Sequence, residues 1–215
     1  LDLENALNKD ERIKIDSPKL QGSISLKGLK FDDLTFKNYK ETLNDDSKLI
    51  TLFKPSSTKG GYFSNFGWIK VSSDENFNLP NDQTIWTTNS KKITNNNPAI
   101  FSWTNNQGIQ FEQEISIDEN YMFTIKQKVI NNTDANISLN PVAKISRTDT
   151  PATLGFFILH EGPIGVVDNV LEEIDYKDLR KNIGPIEYNS KGGWFGITDK
   201  YWLATLIPDQ NSNVI

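Results

Sequence analysis

The stretch Ala99-Ile-Phe-Ser-Trp103, Asn105-Asn-Gln-Gly108, Ile109-Gln-Phe-Glu-Gln-Glu-Ile-Ser-Ile117 decides the fold class. Ile109, Phe111, Ile115 and Ile117 fall at even spacing, with polar residues between them. A period of two places one set of side chains on each face of a strand. Gly108 suits the positive φ of a hairpin turn, so 99–103 and 109–117 read as paired strands. Asp118-Glu-Asn120 turns the chain again. Tyr121 to Ile130 then sets Phe123, Ile125 and Val129 on one side and Lys126 and Lys128 on the other. After a further turn at Asn131-Asn-Thr-Asp134, Ile137 to Ile145 returns. This is the pattern of an antiparallel meander with one wet face.

Working outward, the same texture continues. Upstream, Arg12-Ile-Lys-Ile-Asp16 alternates, and Gly22 to Gly28 predicts a half-buried strand with Ile24 and Leu26 inward and Ser23, Ser25 and Lys27 outward. Leu34-Thr-Phe-Lys37, Leu49 to Phe53 and Tyr62 to Val71 add further strands. Ser72 to Asn97 reads as loops with short strands, and residues 1–12 as a tail or short helix. Downstream, Thr153 to Leu159 is a continuous apolar run, expected to be a strand buried on both faces. Val170 to Lys181 has room for a short helix around Asp178. Gly192 to Thr198 and Tyr201 to Ile207 are two more apolar strands. With turn signals every ~8–12 residues, the expectation is an all-β sandwich or barrel in one domain.

Composition agrees. In 215 residues there are 23 Ile and 24 Asn but only 6 Ala, which disfavours helix. Leu, Ile, Val and Phe make up over a quarter of the chain, enough to build a core. No run approaches the ~18 apolar residues of a membrane span. The net charge is −5 with only three Arg, so the basic footprint of a nucleic-acid binder or polybasic membrane patch is missing. Without cysteine there are no disulfides, thiolate metal sites or cysteine nucleophiles. Leu1 to Asp10 lacks the features of a signal peptide, which leaves a cytosolic protein or a piece of a longer exported one.

Candidate chemistry is sparse. His160, the only histidine, precedes Glu161, and a His–Glu pair can serve as general acid and base. Adjacent strand residues point to opposite faces, however, so the expectation is that His160 ends a strand and bonds to backbone. The acidic residues Asp32-Asp33, Asp45-Asp46, Glu112, Glu114 and Glu172-Glu173 read as solvated surface. Trp68, Trp86, Trp103, Trp194 and Trp202 read as core, with sugar or peptide stacking as the alternative. Phosphate-loop, dinucleotide and nucleophile-elbow motifs are absent, and the sequons at Asn131 and Asn136 are expected by chance in so Asn-rich a chain.

Two runs carry a resemblance. Ile145-Ser-Arg-Thr-Asp-Thr-Pro-Ala-Thr-Leu-Gly-Phe-Phe-Ile-Leu-His-Glu-Gly-Pro-Ile-Gly-Val-Val-Asp168 and Gly192-Gly-Trp-Phe-Gly-Ile-Thr-Asp-Lys-Tyr-Trp-Leu-Ala-Thr-Leu-Ile-Pro-Asp-Gln210 resemble the large periplasmic domain of the bacterial YidC membrane protein insertases, in their alphaproteobacterial form. Gly22 to Leu34, a turn at Phe66-Gly-Trp68 and Tyr121 to Lys128 fit the same family in the same order.

The resemblance implies a β-supersandwich similar to galactose mutarotase, without that enzyme's activity. It implies that residues 1–11 are a linker after a transmembrane helix. Residues 12–215 would then be a periplasmic domain lacking its C-terminal strands, on the outer side of the bacterial inner membrane. It implies no enzymatic role, no catalytic residue, no metal and no cofactor. The implied partners are nascent membrane proteins and the Sec translocon's accessory subunits, SecD and SecF. Their contact region corresponds to roughly 156–205, which includes His160, Glu161, Trp194 and Tyr201. The rival readings are a carbohydrate-active enzyme of mutarotase-like fold and a sugar- or peptide-binding module.

Overall fold

Alternation in the sequence becomes strand in the structure, a computed structural model that describes residues 1–72, 76–153, 159–182 and 184–215. Contacts divide the chain into two compact units, Leu1–Thr148 and Asp149–Ile215.

The first unit begins with a short helix, α1 (Leu3–Leu7). Asp2 caps it, its Oδ1 accepting from the Asn5 backbone N–H at 2.8 Å. Strands β1 (Arg12–Asp16), β2 (Leu20–Ser25), β3 (Lys30–Lys40), β4 (Leu49–Phe53) and β5 (Tyr62–Lys70) follow. The short β6 (Thr87–Thr88) and β7 (Lys92–Ile93) come next, within the loop-rich stretch expected there. The meander is β8 (Ala99–Thr104), β9 (Ile109–Ile117), β10 (Phe123–Asn131) and β11 (Leu139–Arg147).

These strands form two sheets. One has the order β11-β5-β3-β2-β1-β7, with β4 also paired to β3, and the other runs β10-β9-β8-β6. All pairs are antiparallel except β1 with β7. The β8–β9 hairpin closes at Gly108, whose φ of +89° is a conformation that side chains with a Cβ rarely adopt.

The sheets face one another across an aromatic and aliphatic core. Trp68 of β5 meets Phe111 of β9 edge-on at 5.1 Å, and Phe31 of β3 meets Phe123 of β10 at 5.4 Å. Phe101, Phe111, Gln113 and Ile115 are fully buried. The Gln113 and Gln127 amides reach across the core and donate to the carbonyls of Phe66 and Gly67 at 2.9 and 2.6 Å. The first unit is thus a β-sandwich, as the meander predicted.

Three local expectations are corrected. Phe66-Gly-Trp68 is not a turn but the middle of β5, paired with Ala143, Val142 and Pro141 of β11. The second half of β2 is buried on both faces, since Ser23 and Ser25 are enclosed along with Ile24, whereas Gln21 is exposed. Asp32 is not solvated surface: it is buried and ion-paired with Arg12. A single irregularity explains the last two. The β2–β3 register slips between Ser23, opposite Asp33, and Ile24, opposite Phe31. Asp32 is the extra residue of this bulge, and bulges re-aim side chains. Both acids then turn toward partners, Asp32 toward Arg12 and Asp33 toward the Ser23 hydroxyl, which donates at 2.6 Å. Gly22 lets the strands close at this point, because a Cβ there would run into the Asp33 carbonyl.

The second unit holds β12 (Gly162–Val167), β13 (Val170–Glu173), α2 (Tyr176–Lys181), β14 (Ser190–Lys191), β15 (Trp194–Thr198), β16 (Leu203–Leu206) and β17 (Asn213–Val214). Four of these strands form an antiparallel sheet of order β13-β12-β15-β16, and β14 pairs with β17. The expected helix is α2, but Val170–Glu173 is strand instead. The apolar run at 153–159 lies largely outside the described residues.

Candidate functional site

The sequence directs attention to His160, Glu161, Trp194 and Tyr201, all in the second unit. His160 and Glu161 immediately precede β12. One ring nitrogen of His160, Nε2, lies 2.9 Å from the Pro163 carbonyl. The other, Nδ1, lies 3.8 Å from the Asp175 carboxylate at the start of α2. Asp175 also holds Lys177 at 2.9 Å, and this ammonium keeps its carboxyl below the usual carboxylate range. His160 is therefore wedged between a strand end and a helix start, with both ring nitrogens directed at protein groups.

The aromatic pair is placed differently. Trp194 opens β15 and is cross-strand from Val166, half-buried. Tyr201 lies in the turn before β16 and is 72% exposed, with the Lys200 ammonium 4.8 Å from its ring centre. Around them the sheet presents Val170, Leu171, Phe195 and Leu203, all exposed. By strand register Val170 and Phe195 share one face of this sheet and Leu171, Leu203 and Trp194 the other, so both faces carry exposed apolar side chains.

The first unit carries a groove that sequence reading did not assign. It lies along the open side of the sandwich and has a volume of about 540 Å³. Trp68, Ile125, Val129, Ile137, Leu139 and Pro141 supply its apolar lining. Its margins, β10 and β11, are the edge strands of the two sheets. Lysines and proline guard sheet edges against unwanted pairing, and Lys126, Lys128, Pro141 and Lys144 occupy these two. Trp68 is the one tryptophan at the groove, and Trp86 stacks behind it at 6.4 Å. The half-burial of the inward side of β10 is the signal that marks the groove, and periodicity alone does not distinguish half-buried from buried.

Comparison with known proteins places this architecture. Residues 12–214 match the family model described as YidC periplasmic domain. The chain belongs to the YidC periplasmic domain family. Among curated relatives it is 46% identical over 202 residues to the membrane protein insertase YidC of Rickettsia bellii, covering 94% of this chain and 36% of that protein. It is 45% identical over 212 residues to the membrane protein insertase YidC of Rhizobium etli, covering 98% of this chain and 35% of that one. The chain thus spans about a third of the length of the YidC proteins it matches. The all-β architecture expected from the YidC resemblance is the one observed.

Proposed function

We propose that this chain is the non-catalytic periplasmic domain of a YidC-type insertase, which assists the insertion and folding of inner-membrane proteins alone or with the Sec translocon. The observation that carries this reading is the match of residues 12–214 to the YidC periplasmic domain. Residues 1–11 act as the linker from a preceding transmembrane helix. Residues 12–215 act as a periplasmic sandwich whose last strands lie further along the parent protein. The contact region for SecD and SecF is the stretch around 156–205, with His160, Glu161, Trp194 and Tyr201 within it. The exposed Leu171 and Leu203, which share a face of the sheet with Trp194, and the exposed Tyr201 in the turn before β16 support that assignment. The hydrogen bond between His160 Nε2 and the Pro163 carbonyl supports a structural role for the histidine.

The test uses the full-length parent in cells depleted of their own YidC. A photo-crosslinking residue at Phe195 or Leu203 is expected to capture SecD or SecF, whereas one at the exposed Leu43 of the first unit is not. His160→Ala is expected to leave insertion of a reporter membrane protein intact. Sugar turnover by the purified chain, lost in His160→Ala, would replace this reading with the carbohydrate-active one.

A further inference from the structure

The first unit holds a second depression, of about 390 Å³, where the α1–β1 turn, the start of β1 and the β2–β3 turn converge. Lys9, Asp10, Arg12, Lys27, Lys30 and Asp32 line it. Four cations thus face two carboxylates in a chain whose net charge is −5.

The charges are not equivalent. Arg12 is fixed in place. Its Nε donates to the Ser23 hydroxyl at 2.7 Å, and its Nη2 donates to the Ser23 carbonyl at 3.2 Å and to Asp32. The Arg12–Asp32 pair is buried and nearly neutral as a unit. Among the described residues the remaining guanidinium nitrogen, Nη1, makes no hydrogen bond.

Lys27 and Lys30 are half-buried and Lys9 is exposed. None of the three ammonium groups has an ion-pair or hydrogen-bond partner among the described residues. Elsewhere in the same unit, the half-buried Lys37 and Lys92 both close on Asp16. Arg12 offsets Asp32, on which Lys30 also acts electrostatically, so Lys9, Lys27 and Lys30 outnumber Asp10, the other carboxylate of the lining. Half-buried cations clustered without a carboxylate partner are favourable only when an anion or water compensates them, and a locked guanidinium beside them supplies directional donors.

We propose that this depression is a binding subsite for a phosphate group. Lys27 and Lys30 neutralise the anion, Arg12 Nη1 orients it, and Lys9 closes the outer side. The chemistry is that of a phosphate monoester or diester, supplied either by a phospholipid headgroup or by a free phosphate compound. The subsite goes beyond the insertase reading and stands without it; only the lipid source rests on the domain lying beside a membrane.

The experiment titrates the full 215-residue chain with inorganic phosphate at constant ionic strength and follows backbone amide shifts. Saturable shifts are expected at residues 9–12 and 27–32. The double variant Lys27→Gln/Lys30→Gln is expected to bind about tenfold more weakly or worse. Lys126→Gln/Lys128→Gln, which removes the same charge from β10, is expected to bind as the parent chain does. Absence of saturable shifts, or equal weakening in both double variants, would overturn the proposal. Flotation with phosphatidylglycerol vesicles but not phosphatidylcholine vesicles, lost in Lys27→Gln/Lys30→Gln, would name a lipid headgroup as the source. Phosphate binding without flotation would name a free phosphate compound. Reporter insertion by the parent protein is read separately, so failure of the subsite and failure of the insertase reading are distinguishable.

Discussion

In β9 of the first unit, Phe111 is fully buried between two sheets. In β15 of the second unit, Phe195 is 50% exposed on a four-stranded sheet. The residue type and the strand are alike, but the surroundings are not. Of the buried apolar side chains among the described residues, all but Leu206 belong to the first unit. Burial of apolar area is the main stabilising term in folding, worth roughly 25 cal/mol per Å². The first unit therefore has the means to hold a fold, and the second unit leaves most of its apolar side chains half-buried or exposed.

The sharpest way to break this comparison is to remove matched side chains. Phe111→Ala should destabilise the chain by roughly 3–5 kcal/mol, as large core truncations do. Phe195→Ala should fall within about 0.5 kcal/mol of the parent. Chemical denaturation of the two variants measures both, and equal losses would dissolve the distinction.

Arg12→Ala belongs with the large effects. It leaves the Asp32 carboxylate buried without its cation, at a cost of roughly 3–5 kcal/mol. Burial already pushes the Asp32 carboxyl up despite the neighbouring Arg12. Its folded form holds a proton more tightly than the unfolded chain does, so Asp32 opposes folding increasingly as pH rises through its folded pKa.

Asp16 should show the opposite sign and a smaller size. Hydrogen bonds from Lys37 and Lys92 hold its carboxyl at about 2. The stabilisation it provides is present above the ordinary carboxylate value and is lost as pH falls toward about 2. The group is partly exposed, so the effect is expected to stay below about 1 kcal/mol. Acid titration of stability in Asp16→Asn should lack this component. The smallest effect belongs to Lys126→Ala, which removes a cross-strand pair with Glu114 on the wet face of β10 and should cost only a few tenths of a kcal/mol.

The two units also differ in how much of them local sequence reveals. The alternation of 109–117 and the turn at Gly108 reappear directly as β9 and its hairpin, because period and turn chemistry are local. The pairing of β5 with β11, some eighty residues apart, is not local, and so Phe66-Gly-Trp68 read as a turn. The burial of Ser23, Ser25 and Asp32 follows from a bulge, which shifts register without altering the pattern of residue types. At the candidate site, His160 bonds to backbone as expected, through the Pro163 carbonyl, but from a position just before β12. Its approach to Asp175 depends on how α2 returns to that position. The apolar groove and the cationic depression both arise where separate strands meet, which no single stretch encodes.

The first unit carries the stability, and the second carries the exposed surface proposed for partner contact. Native-state hydrogen exchange on the full chain tests this division most directly. The hydrogen-bonded amides of β9 are expected to exchange only through global unfolding, and those of β13 and β16 through openings of much lower free energy. Equal protection of β9, β13 and β16 would contradict it.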